Sequence, residues 1–156
     1  MLRDDASARQ AMDAELPKGA MLDRLQGPAA LLARLLLAQI FVVEGWGKIF
    51  SYAAVQQYMT HNGVPGALLP LVILTELGGG LCIAVGFLTR LAALALAGFC
   101  VLTVYFFHAN LGDPDQVVQL HKNLAMAGGF LALVAFGPGA LSIDAWLGRK
   151  GDGFRA

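Results

Sequence analysis

The chain has 156 residues, of which 57% are hydrophobic and 14% charged, with a mean hydropathy of +0.63; ordinary soluble domains carry about 25% charged residues. Lys and Arg balance Asp and Glu at a formal net charge of zero, and there is neither a basic aromatic patch nor a phosphate-cradling glycine loop, so no nucleic acid partner is expected. The composition is that of a protein dissolved in a lipid bilayer.

Residues 1–27 mix acids and bases (Arg3, Asp4, Asp5, Asp13, Glu15, Asp23) and lack the basic-then-apolar pattern of a cleaved signal peptide, so they are read as a retained N-terminal tail. The first apolar helix is predicted over 28–50, with Pro28 at its first position, where a missing N–H costs nothing. On it Arg34, Leu37, Phe41, Glu44 and Lys48 follow at intervals of three and four and share one stripe. Glu44 and Lys48 form an i, i+4 pair. The long side chains of Arg34 and Lys48 are expected to snorkel to opposite interfaces, an outlet that Glu44 lacks.

The second helix, over 67–87, is apolar or small apart from Pro70, Thr75 and one acid, Glu76. Inserting a charge at the centre of a membrane helix costs roughly 2.5–3.5 kcal/mol, which makes such a residue a functional candidate. Gly79 and Gly80 follow it at the spacing of a helix–helix contact, so Glu76 is expected to point inward. Leu88, Thr89 and Arg90 form a tight connection to an antiparallel third helix over 91–108, whose stripe of Ala93, Ala97, Cys100, Val104 and His108 is mostly small. Cys82 and Cys100 have no metal-ligand or CxxC spacing and are read as core thiols, with no metal site expected.

The run Asn123–Phe136 is too short to span ~30 Å of hydrocarbon at ~1.5 Å per residue. The fourth helix therefore starts at Pro114, with Asp113 as N-cap and Asp115 and Gln116 in the first turn, and runs over 114–136 with His121, Lys122 and Asn123 inside it. Ala125, Gly128, Gly129 and Ala132 suit close packing. Gly137-Pro138-Gly139 ends it, an interfacial segment with Trp146 follows, and 149–156 form a tail. The fold class is an all-α integral membrane four-helix bundle of residues 28–148.

Arg3, Arg9, Lys18 and Arg24 precede the first helix, Arg90 sits in the second connection, and Arg149, Lys150 and Arg155 follow the fourth, whereas Ser51–Pro65 has no Lys or Arg. The positive-inside rule puts both termini in the cytoplasm. From the helical rise, Glu44 lies ~9 Å, Glu76 ~15 Å, Lys122 and Asn123 ~7–9 Å and His108 ~5 Å below the outer surface. The polar groups thus collect in the outer half, either as a clasp between helices or as a site for a ligand or proton. Interhelical hydrogen bonds average only about 0.6 kcal/mol, a small return on two buried acids.

Leu32-Ala33-Arg34-Leu35-Leu36-Leu37, Glu44-Gly45-Trp46-Gly47-Lys48, Glu76-Leu77-Gly78-Gly79-Gly80, Gly86-Phe87-Leu88-Thr89-Arg90, Lys122-Asn123-Leu124-Ala125 and Gly137-Pro138-Gly139-Ala140-Leu141-Ser142-Ile143-Asp144, in this order, resemble the DoxX family of small four-helix bacterial inner-membrane proteins. The resemblance covers about 31–147; Glu44 stands where many relatives carry His. It implies a multi-pass protein of the bacterial cytoplasmic membrane, in some members a subunit of thiosulfate:quinone oxidoreductase or of another oxidoreductase system handling oxidative or thiol stress.

On that reading the site handles a quinone, with no intrinsic cofactor and electrons supplied by a partner protein. Glu76 accepts protons with Glu44 as its catalytic partner, His108 and Asn123 bond the quinone oxygens, Lys48 and Lys122 balance charge, and Tyr105 and Phe106 line the slot. Two other readings stay open: a non-catalytic membrane anchor or assembly partner whose polar cluster is structural, and a small-solute or proton pathway. For the topology, a fluorescent protein fused after Ala156 is expected to fluoresce and alkaline phosphatase fused there to be inactive; the opposite pattern reverses the orientation.

Overall fold

A computed structural model describes the backbone of residues 18–152 and the side chains of 24–149. Most of the N-terminal tail and the last residues of the C-terminal tail lie outside the described residues. Every regular element described is helical: α1 Lys18–Phe50, α2 Tyr52–His61, α3 Gly66–Val85, α4 Thr89–Phe107, α5 Pro114–Phe136 and α6 Ile143–Asp152. Four of them, α1 from Arg24, α3, α4 and α5, are long and apolar enough to cross a membrane.

α1 packs along α3, α4 along α5, and α3 closes against α4 mainly through its second half. The described chain ends lie together at one end of the bundle, here the proximal end, where Gly27 faces Leu141 and Gly139 faces Ala30. α2 lies at the opposite, distal end. Between the ends, the Phe41 ring meets Phe130 edge-on at 5.3 Å and Phe99 at 6.4 Å, amid buried Ala38, Ile83, Leu96 and Cys100. Edge-to-face pairs of this kind add to the packing of the buried core.

Several boundaries differ from the sequence reading. α1 does not begin at Pro28 but runs back to Lys18, with Pro28 inside it. The proline removes only the bond to the Arg24 carbonyl, which lies where the helix leaves the apolar layer and water can reach it. α4 begins at Thr89 rather than 91 because its cap is supplied from elsewhere in the chain: Asp144 accepts from the backbone N–H of Leu88 and of Thr89, both at 2.9 Å. α5 starts at Pro114 as expected, with the Asp113 carboxylate accepting from Asp115 N–H at 3.0 Å. α2 is an element that the sequence reading treated only as a connection, although Tyr52, Val55 and Met59 carry a helical spacing.

Arg34 does not snorkel. It is fully buried, donating from Nη1 to the Ile83 carbonyl at 3.4 Å and from Nη2 to the Leu141 carbonyl. One guanidinium thus ties α1 to the last turn of α3 and to the loop after α5. The Asp144 N–H closes the same knot on the Gly86 carbonyl at 2.8 Å. Gly86 has φ +72°, and a Cβ there would lie 2.0 Å from Arg34 Nη1 and 2.5 Å from Ser142 Cβ, so no other side chain fits.

Partial burial pushes the Asp144 carboxyl up, but the Thr89 and Leu88 N–H donors and the Arg34 charge outweigh it and hold the group below its ordinary value. A carboxyl lowered on folding stabilises the protein above its unfolded pKa and loses that contribution as pH falls through the folded value.

Two outcomes follow. Gly86→Ala should lower stability by about 1–3 kcal/mol, read as a drop in thermal midpoint in detergent, whereas Gly128→Ala, whose Cβ meets nothing within 4 Å, should be near neutral. Asp144→Asn should lower the midpoint at pH 7, and its gap from the unmutated protein should shrink below about pH 4, the ordinary Asp range. A gap that persists there removes the charge from the account.

Candidate functional site

α3 carries its acid on an irregular turn. Leu74–Gly78 forms one turn of π-helix inside an otherwise α-helical span, and Glu76 sits in the middle of it. The extra residue breaks the i→i−4 bonding locally and re-aims the side chain, a device found disproportionately at functional sites. The turn is pressed against α1 at Gly45, where a Cβ would lie 2.7 Å from Leu77 N. Gly80, one turn on, would place a Cβ 3.0 Å from Val42 Cγ2. These small residues bring the α1 and α3 backbones together and point Glu76 inward, as the sequence predicted.

Glu76 is buried, its side chain 7% exposed, and Lys48 Nζ of α1 lies 2.8 Å from its Oε2. The same Nζ lies 3.5 Å from Glu44 Oε2, one turn back on α1, whose side chain is 62% exposed. Lys48 therefore does not snorkel to the surface but turns inward and bridges a buried acid and an exposed one. Burying a carboxylate without a partner costs several kcal/mol, which the ammonium offsets here.

The triad forms part of the wall of a cavity of about 1050 Å³ in the distal half, at the upper end of the range for small-molecule sites. Every polar residue assigned to the site from the sequence except Tyr105 lines it: Glu44, Glu76, Lys48, His108, Lys122 and Asn123. Direct contact joins only the first three. His108, the C-cap of α4, pairs its Nδ1 with Gln116 Oε1 at 2.7 Å. Asn123 is buried and donates from Nδ2 to the Gln119 carbonyl at 2.9 Å on its own helix. Lys122 lines the cavity on an exposed stretch of α5.

Tyr105 is 72% exposed and set edge-on to Phe106, outside the lining; Phe106, which the sequence also named, is in it. Successive residues of a helix point ~100° apart, so one of the pair faces out when the other faces in.

The sequence reading missed the roof. α2 lies over the distal mouth and lends Val55, Tyr58 and Met59 to the lining. The Tyr58 ring stacks on Phe107 at 5.3 Å and 17°, and Gln56 Nε2 donates to the Gly66 carbonyl at 3.2 Å. It also missed the open side: Leu68 and Leu71 of α3 and Leu94 and Leu102 of α4 line the cavity while remaining 45–60% exposed. Within a membrane span such exposure faces acyl chains, so the cavity opens sideways between α3 and α4. Among the described residues, no three His, Cys, Asp or Glu side chains come together in a way that would hold a metal ion.

The fold and cavity define a class: a multi-pass, four-helix membrane protein with an ion-paired acid inside its apolar layer. The DoxX family model matches residues 29–109, and the chain belongs to that family. It is 50% identical over 129 residues to inner membrane protein YqjF of Escherichia coli (strain K12), covering 83% of this chain and 99% of that protein. It is 31% identical over 121 residues to inner membrane protein YphA of the same organism, covering 73% of this chain and 86% of the relative. No solved structure matches the chain significantly.

Proposed function

We propose that the cavity binds a neutral, lipid-soluble quinone and exchanges protons with it through Glu76, the protein acting as the membrane subunit of an oxidoreductase. The observation that carries this reading is the ion-paired Glu76, 7% exposed, in the wall of a largely apolar cavity that opens toward the acyl chains. Reducing a quinone takes two electrons and two protons, and each proton ends on a ring oxygen. The electrons come from a partner oxidoreductase, since no residue of this chain carries them. Glu76 supplies or takes up the two protons in turn, relayed through the Lys48 bridge to Glu44.

The balance of the lining supports a neutral ligand: it holds two acidic residues, Glu44 and Glu76, and two basic ones, Lys48 and Lys122. With the positive-inside orientation, the distal half is the outer half of the bilayer. A continuous solute or proton pathway is disfavoured because Ala38 and Phe41, 2% and 5% exposed, lie between Arg34 and the triad on α1. The Lys48–Glu76 pair joins two helices, which favours one second reading, a membrane anchor held together by that pair.

The test uses purified protein in lipid nanodiscs and short-chain ubiquinone and menaquinone analogues. Binding is expected to saturate, and Glu76→Gln should weaken it by about tenfold, on the order of 1.4 kcal/mol, with little change in thermal midpoint. If the unmutated protein binds neither analogue, the quinone reading fails; if Glu76→Gln then also collapses the midpoint, the anchor reading takes its place.

A further inference from the structure

Several glycines of the helices serve close packing. A Cβ at Gly45 would lie 2.7 Å from Leu77 N, at Gly80 3.0 Å from Val42 Cγ2, and at Gly79 and Gly129 3.2 Å from the side chains of Leu96 and Leu37. Gly47 of α1 and Gly98 of α4 are different. A Cβ at either would meet nothing within 4 Å, neither is among the glycines with positive φ, and both line the cavity. Glycine is the least favourable residue inside a helix after proline, so each weakens its helix and returns neither a turn nor a helix contact.

Their depth ties them to Glu76. Gly45 faces the π-turn, its Cβ position 3.1 Å from Glu76 Cβ, and Gly47 is two residues on, ~3 Å farther toward the distal end. On α4, which runs antiparallel to α3, Leu96 meets Gly79. From that contact Gly98 and Glu76 stand ~3 Å and ~4.5 Å toward the distal end. The two open glycines thus lie within about one helical turn of the buried acid in depth. Gly98 falls between Leu94 and Leu102 on one stripe of α4, at the gap through which the cavity opens. At this level α1 and α4 present bare backbone to the cavity where a side chain would fit.

We propose that Gly47 and Gly98 are specificity-determining contacts of the cavity: they leave the room that the ligand's ring occupies beside Glu76, and a Cβ at either position fills part of it. A flat ring packs against backbone that carries no side chain, and the notch at Gly98, between Leu94 and Leu102, gives its tail a way out to the acyl chains. The inference rests on the quinone reading of the cavity and adds where the headgroup sits, at the depth of Glu76 rather than at the distal mouth.

The experiment pairs binding of decylubiquinone in lipid nanodiscs with the thermal midpoint for Gly47→Ala, Gly98→Ala and, as a control, Gly128→Ala, at a glycine whose Cβ would be equally free but which lies outside the lining. Gly47→Ala and Gly98→Ala should each weaken binding about fivefold to tenfold while leaving the midpoint unchanged or higher, since alanine is the better helix former and the space is gained at the expense of the site. Gly128→Ala should bind as the unmutated protein does. A purely structural role for the two glycines would move the midpoint and the affinity together. Unchanged affinity in the two alanine variants, a loss matched by Gly128→Ala, or a loss accompanied by a falling midpoint overturns this inference and leaves the quinone reading standing. Absence of binding by the unmutated protein removes both.

Discussion

The bundle depends on one buried guanidinium. Arg34 has no access to water and is held by carbonyls that end α3 and follow α5, while Asp144, close enough for its charge to act on Arg34, caps α4. A guanidinium brings several donors in a rigid fork, so it can join three chain segments where an ammonium would act as a point. Removing the guanidinium would leave the Ile83 and Leu141 carbonyls without this donor, which costs more than a made bond gains. The ends of α1, α3, α4 and the loop into α6 are thereby fixed at one end of the molecule. The other end is left free to splay around a cavity.

That division explains two differently built charge clusters in one small membrane protein. The proximal cluster is closed: both Nη groups of Arg34 reach backbone carbonyls and glycine at Gly86 makes the space. The distal cluster is open. Lys48 spans a buried and an exposed acid in the wall of a cavity of about 1050 Å³. Between them lie the Phe41, Phe99 and Phe130 rings.

Much of this was legible in the sequence. Run length and Asp113-Pro114 located the four spans, because hydrocarbon thickness and N-capping are local constraints. Helical rise and stripe spacing gathered Glu44, Glu76, His108, Lys122 and Asn123 in one half of the bilayer, and all five line one cavity. What sequence could not convey is set by partners far along the chain. The start of α4 is decided by Asp144, 56 residues beyond Leu88. Arg34 and Lys48 read as snorkelling because length and charge suggest it, but the carbonyls and the carboxylate that hold them inward come from other helices. The π-turn at Glu76 is likewise invisible to a 3.6-residue template, and Tyr105 and Phe106 could not be assigned to opposite faces until the rotation of α4 was known.

The gap between α3 and α4 bears on how affinity for this protein ought to be expressed. A ligand entering past Leu71 and Leu102 arrives from the hydrocarbon phase, where an isoprenoid or acyl tail can remain while the headgroup turns inward. The protein then need not hold the tail at all. Occupancy would follow the mole fraction of ligand among lipids rather than its aqueous concentration, so adding lipid at constant ligand and protein would empty the cavity. A modest headgroup interaction suffices under such conditions, because the membrane has already done the concentrating.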